Sequence, residues 1–96
     1  MVKAGPRDGD GRYKRDLALR LLRTRTALGL SQAEFCRQIG VKKNVYNPFE
    51  RGRRQITVEV ATMICERFGL SLDWIYRGDV SRLPAELFQR LHQPAA

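Results

Sequence analysis

"LSQAEFCRQIGVKKNVYNPFERGRR", residues 30–54, is the stretch on which the fold turns. Ser31 followed three residues later by Glu34 makes a capping box, the reciprocal side-chain to backbone pairing that opens a helix. Phe35, Cys36 and Ile39 then share one face, and Gly40 stops the helix after about two turns. Beyond "GVK" a second short helical pattern begins. Val45 and Phe49 are four apart with Tyr46 beside them, which predicts an inward face and sets Lys43, Asn44 and Asn47 on the solvent side. Gly52 closes this helix. Residues 41–54 carry five basic side chains and a single acid, Glu50, with Pro48 in the middle. An interior proline removes a backbone hydrogen bond and crowds the carbonyl four residues back, at a cost of about 3 kcal/mol. "NPFE" also reads as a helix start, with Asn47 as cap, Pro48 in the first helical position and Glu50 three after the cap. The stretch therefore predicts a helix kinked at Asn47.

Outward from this centre the helical period continues. "RYKRDLALRLLRTRTALG" repeats Leu17, Leu21 and Leu28, with Ala18 and Leu22 beside them, and stops at Gly29. Downstream of a basic loop, Thr57 caps a helix whose Val60, Ala61, Ile64, Cys65 and Phe68 recur at helical spacing, expected to be the most buried. Ser71 caps a short helix with Leu72, Ile75 and the anchors Trp74 and Tyr76, whose aromatics are expected to seal the core. "LPAELFQRLHQ" carries an apolar stripe of Leu83, Leu87, Phe88 and Leu91. Residues 1–11, rich in glycine and charge, read as a flexible arm, and the terminal "PAA" as a disordered end. No alternating strand pattern and no repeat occurs.

At 96 residues the chain has room for one domain, and 18 Lys and Arg against 10 Asp and Glu give a net charge of +8. A positive potential over so small a body calls for a polyanion. An anionic membrane would need a basic helix with its apolar face left over, whereas these faces are needed for a core, so nucleic acid is the expected partner. No run of about 18 apolar residues and no secretory apolar segment is present, which predicts a soluble cytoplasmic protein. Cys36 and Cys65 fall among apolar neighbours, and with the distant His92 they are too few for a structural zinc, so neither metal nor other cofactor is expected. No nucleophile and base pair, metal cluster or glycine-rich phosphate loop argues for an enzyme. Nor does any segment read as a small-molecule ligand domain.

The order "LSQAEFCRQIGV", "FERGRR", "GLSLDWIYRGD" closely resembles the lambda-repressor-like, Xre-type helix-turn-helix family of bacterial and phage regulators, over about residues 17–79. The resemblance implies an all-α fold: a compact five-helix DNA-binding domain at 12–80, with an additional C-terminal helix and tail at 81–96. It implies double-stranded operator DNA as partner, homodimers, and action as a transcriptional regulator, a repressor in this reading, with residues 42–51 in the major groove. The stripe of Leu83, Leu87, Phe88 and Leu91, too apolar for free solvent, reads from its own composition either as a dimer contact or as a face that docks on the chain's own core. The residues agree with the likeness. Ser31 and Gln32 at a helix N-terminus can grip a phosphate, and in the family the matching Gln also orients the recognition helix. Lys42, Arg51, Arg53 and Arg54 suit phosphates, and Lys43, Asn44 and Asn47 have the reach and the donors for base edges. The family pairs the acid at Glu50 with an arginine matching Arg25, a structural ion pair. Its third base-contacting position is here Pro48, which offers a base nothing.

A second function stays open on the same fold: a protein-binding module, such as an antitoxin or accessory subunit. The basic residues at 42, 43, 51, 53 and 54 favour DNA, because a module that had abandoned it would not need them.

Overall fold

Glycines in the left-handed region and side-chain caps set the helix boundaries. In the computed structural model, which describes residues 11–92, the chain forms α1 (Arg12–Ala27), α2 (Gln32–Ile39), α3 (Lys43–Glu50), α4 (Val58–Phe68), α5 (Leu72–Arg77) and α6 (Ala85–Leu91), with no strand among the described residues. The fold is all-α. The expected arm at 1–11, apart from Gly11, and the end at 94–96 lie outside the described residues. Ser31 Oγ accepts from Glu34 N at 3.1 Å while Glu34 Oε1 accepts from Ser31 N at 2.9 Å, completing the capping box. Thr57 and Ser71 cap α4 and α5 by accepting from Val60 N and Trp74 N.

The core is built from one stripe of each helix. Leu17 and Leu21 of α1, Phe35 of α2, Tyr46 of α3, Ile64 of α4 and Ile75 of α5 are each at most 2 % exposed. Phe35 is its aromatic centre, 5.1 Å from the Tyr46 ring and stacked 5.3 Å from Phe68. The buried Thr24 hydroxyl donates to Arg20 O at 2.7 Å and accepts the Trp74 indole N–H at 3.0 Å, so both polar groups enter the interior with partners. Cys36 lies in the core and Cys65 at its edge, both as free thiols, and burial pushes both up from their ordinary pKa.

Four expectations change. Val45 points outward, and Tyr46 and Phe49 form the buried face: at about 100° per residue Val45 and Tyr46 lie about 40° and 60° from Phe49 on opposite sides, and the core takes the Tyr46 side. Leu22 and Leu72 are also exposed. Helix α4 is one-sided: Ala61 and Ile64 are buried while Val58 and Met63 face out. The C-terminal stripe is largely an intramolecular one. Leu87 and Leu91 join the same core as α1–α5, Leu83 packs at its edge, and only Phe88 stays exposed, against His92. Arg90 Nη1 donating to Ala27 O and Arg23 Nη2 donating to Leu91 O fasten α6 to α1. An apolar stripe of that kind reads the same whether it meets its own core or a partner, so composition alone could not decide it. No helix among the described residues is long and apolar enough to cross a membrane.

Candidate nucleic-acid interface

Glu50 organises the site. Its side chain is 5 % exposed and both oxygens are engaged: Arg25 Nε donates to Oε2 at 2.7 Å and Arg25 Nη2 to Oε1 at 3.0 Å, a two-pronged ion pair. Tyr46 OH donates to Oε2 at 2.8 Å and Gln32 Nε2 to Oε1 at 3.1 Å. Burial pushes the Glu50 carboxyl up, but the hydrogen bonds from Arg25 and Tyr46, the Arg25 charge and the Gln32 amide outweigh it and hold the group below the usual glutamate range. The Tyr46 phenol is pushed well above its ordinary value, chiefly by burial and then by the neighbouring carboxylate.

This carboxylate fixes more than itself. Because it only accepts, the Gln32 amide must turn its N–H side toward it, and Gln32 Oε1 is left to accept from Asn47 Nδ2 at 3.0 Å. The start of α2 is thereby tied to the middle of α3 by side chains. Arg25 Nη1 also donates to Leu30 O at 2.8 Å, bringing in the turn before α2. One N–H of Gln32 is thus spent on positioning. Its backbone N–H belongs to the first turn of α2, whose opening N–H groups have no partner within the helix.

On α3, Asn44 and Pro48, four residues apart, share the centre of the outward face. Asn47 flanks them on the α2 side, half-buried through its bond to Gln32, and Val45 flanks them on the α4 side. Lys42, Lys43 and Asn44 are exposed, as are Arg51, Arg53 and Arg54, and no hydrogen bond or ion pair engages these six side chains among the described residues. With Glu50 neutralised inside by Arg25, the charges that segment 42–54 turns outward are all positive.

Pro48 sits inside a single helix rather than between two pieces. Its missing N–H would have served the carbonyl of Asn44, on the exposed face where solvent can substitute, which limits the cost. Its own carbonyl accepts from Arg53 N at 2.9 Å and Arg54 N at 3.2 Å, while Gly52 N donates to Phe49 O at 3.3 Å. That is a Schellman ending, and it requires Gly52 at φ +74°; the site has ordinary room for a Cβ, so the backbone angle and not crowding calls for glycine. The basic loop is therefore anchored through its backbone to the proline turn. From the other side Tyr76 OH donates to Ile56 O at 2.9 Å.

Sequence reasoning missed the Gln32–Asn47 and Tyr46–Glu50 bonds. The second was visible as an i, i+4 pair; the first joins two helices and left no periodic signal. No group of three or more His, Cys, Asp or Glu among the described residues is placed to hold a metal ion.

Comparison with curated proteins and with solved structures gives no match. The helix-turn-helix family model matches residues 19–75, more than half of the chain, from within α1 into α5. Because that match spans both helices of the turn and the helices that support them, the chain belongs to the lambda-repressor-like, Xre-type helix-turn-helix family of DNA-binding regulators.

Proposed function

We propose that the protein is a sequence-specific transcriptional regulator, a repressor by operator occupancy, that inserts α3 into the major groove of double-stranded DNA. The observation that carries this reading is the pairing of an all-cationic outward surface at 42–54 with an exposed Asn44 on a helix braced through Glu50. In it Lys43 and Asn44 read base edges, as Lys donates to guanine and Asn pairs with adenine. Asn47 reads from the flank while holding Gln32. Lys42, Arg51, Arg53, Arg54 and the start of α2 at Gln32 engage phosphates. Helix α3 is about 12 Å long and can cover only a few base pairs, so two copies on half-sites about one helical turn apart are needed for a specific site. With Leu87 and Leu91 in the core, a dimer contact would use other surface than the C-terminal stripe.

Selection of bound sequences from random duplex DNA tests the reading, with a palindromic consensus expected. Random recovery would instead favour a protein-binding module. On the selected site Asn44→Ala is expected to relax preference at one base pair by about 1–3 kcal/mol. Arg54→Ala should weaken all sequences alike. Titration of both variants against the consensus and its single-base changes checks this, and the reverse pattern would exchange the two roles.

A further inference from the structure

Val45 has no work in the core, which α3 supplies with Tyr46 and Phe49. It is 46 % exposed, yet it is not an isolated surface valine: it lines an open groove with the exposed Val58 and Met63 and the half-buried Val41 and Val60, a groove that Lys42 borders from α3's start and the exposed Glu59 from α4. Single exposed apolar residues need no explanation, but a cluster continuous with a polar recognition face does.

We propose that Val45 is a specificity-determining side chain that packs against the 5-methyl group of a thymine in the operator. The inference rests on the proposed DNA-reading role of α3. The thymine methyl is the distinctive apolar group that bases present in the major groove, and apolar side chains are what recognise it. Val45 directly follows Asn44, so the two side chains reach neighbouring base edges from one helix, and Lys42 beside the groove suits the adjoining phosphate. A second copy of the chain fits the groove poorly. Contact centred on Val45 would bring the two α3 helices to about the 8–10 Å of packed helices. Half-sites one turn apart need about 34–36 Å.

The test uses the full chain and the consensus from selection, with each thymine of one half-site replaced in turn by deoxyuridine, which removes only the methyl. Wild type is expected to lose about fourfold in affinity at one position, the value of one buried methyl-sized group. Val45→Ala, which keeps a good helix former on an exposed site, should bind the thymine operator about fourfold more weakly and be indifferent to deoxyuridine there. A consensus in which no methyl matters, or in which the loss is the same in Val45→Ala, overturns this proposal and leaves the DNA-reading function standing. Failure to select any consensus overturns both. A Val45→Ala variant that changes self-association in sedimentation, with its thymine to deoxyuridine ratio unaltered, would assign the groove to a protein contact instead.

Discussion

Arg25→Ala is expected to lower folding stability by about 3–5 kcal/mol, because it strands a buried carboxylate rather than merely removing a contact. Glu50 is 5 % exposed and takes two of its four hydrogen bonds from the Arg25 guanidinium, and the same side chain donates to Leu30 O. Lysine could supply the charge but not the planar fork, so Arg25→Lys should recover only part of the loss. Adding Glu50→Gln to Arg25→Ala removes the stranded charge and should restore stability relative to the single variant. Denaturant unfolding of the three variants reads these differences, and a loss below about 1 kcal/mol in Arg25→Ala would put the pair among solvated surface bridges.

The same pair sets an acid limit. The Glu50 carboxyl is held below its ordinary value in the folded protein, so its contribution is complete above the unfolded glutamate value of about 4.3 and is lost as pH falls through the lower folded one. Protonation there would loosen Gln32 as well as Arg25, since the orientation of the Gln32 amide depends on a partner that only accepts. Stability and the aim of α3 therefore share one group.

What was legible follows from how local each signal is. Helix ends were readable because caps act over three residues: Ser31 with Glu34, Thr57 and Ser71 all cap as their spacing implies. Arg25 and Glu50, implied by family resemblance, meet at 2.7 Å. The inner face of α3 was misread at Val45, since an eight-residue helix gives too few apolar positions to fix its phase and both Val45 and Tyr46 lie near Phe49 in the period. Tyr46 wins because its ring fills the space beside Phe35 and its hydroxyl reaches Glu50. The fate of the α6 stripe and the Gln32–Asn47 bond depend on where distant elements come to lie, which no local period encodes. Pro48 was legible as an anomaly but not as an anchor. Its carbonyl engages Arg53 N and Arg54 N only because Gly52 takes the left-handed turn.

Operator affinity is expected to fall about 150-fold per subunit between 50 and 200 mM salt, the consequence of about four phosphate contacts each contributing roughly 0.9 to the slope of log affinity against log salt. The four are Lys42, Arg51, Arg53 and Arg54, all exposed, with the single acid of the stretch neutralised from within. Fluorescence anisotropy on the selected duplex across that range measures the slope. Arg53→Ala or Arg54→Ala should each reduce it by about 1 and weaken specific and random duplexes equally, because a phosphate carries no sequence. Asn44→Ala should leave it unchanged, since an amide on a base edge releases no counterion. A slope below about 2 per subunit would mean that half or more of these cations never reach the backbone. The arginines at 53 and 54 bear most directly on the outcome, because their N–H groups are tied to Pro48 O and the loop that carries them is placed by the end of α3 itself. Insertion of that helix and contact of the loop with phosphate would then be one event, so specific binding without the corresponding salt dependence would count against the proposed insertion of α3.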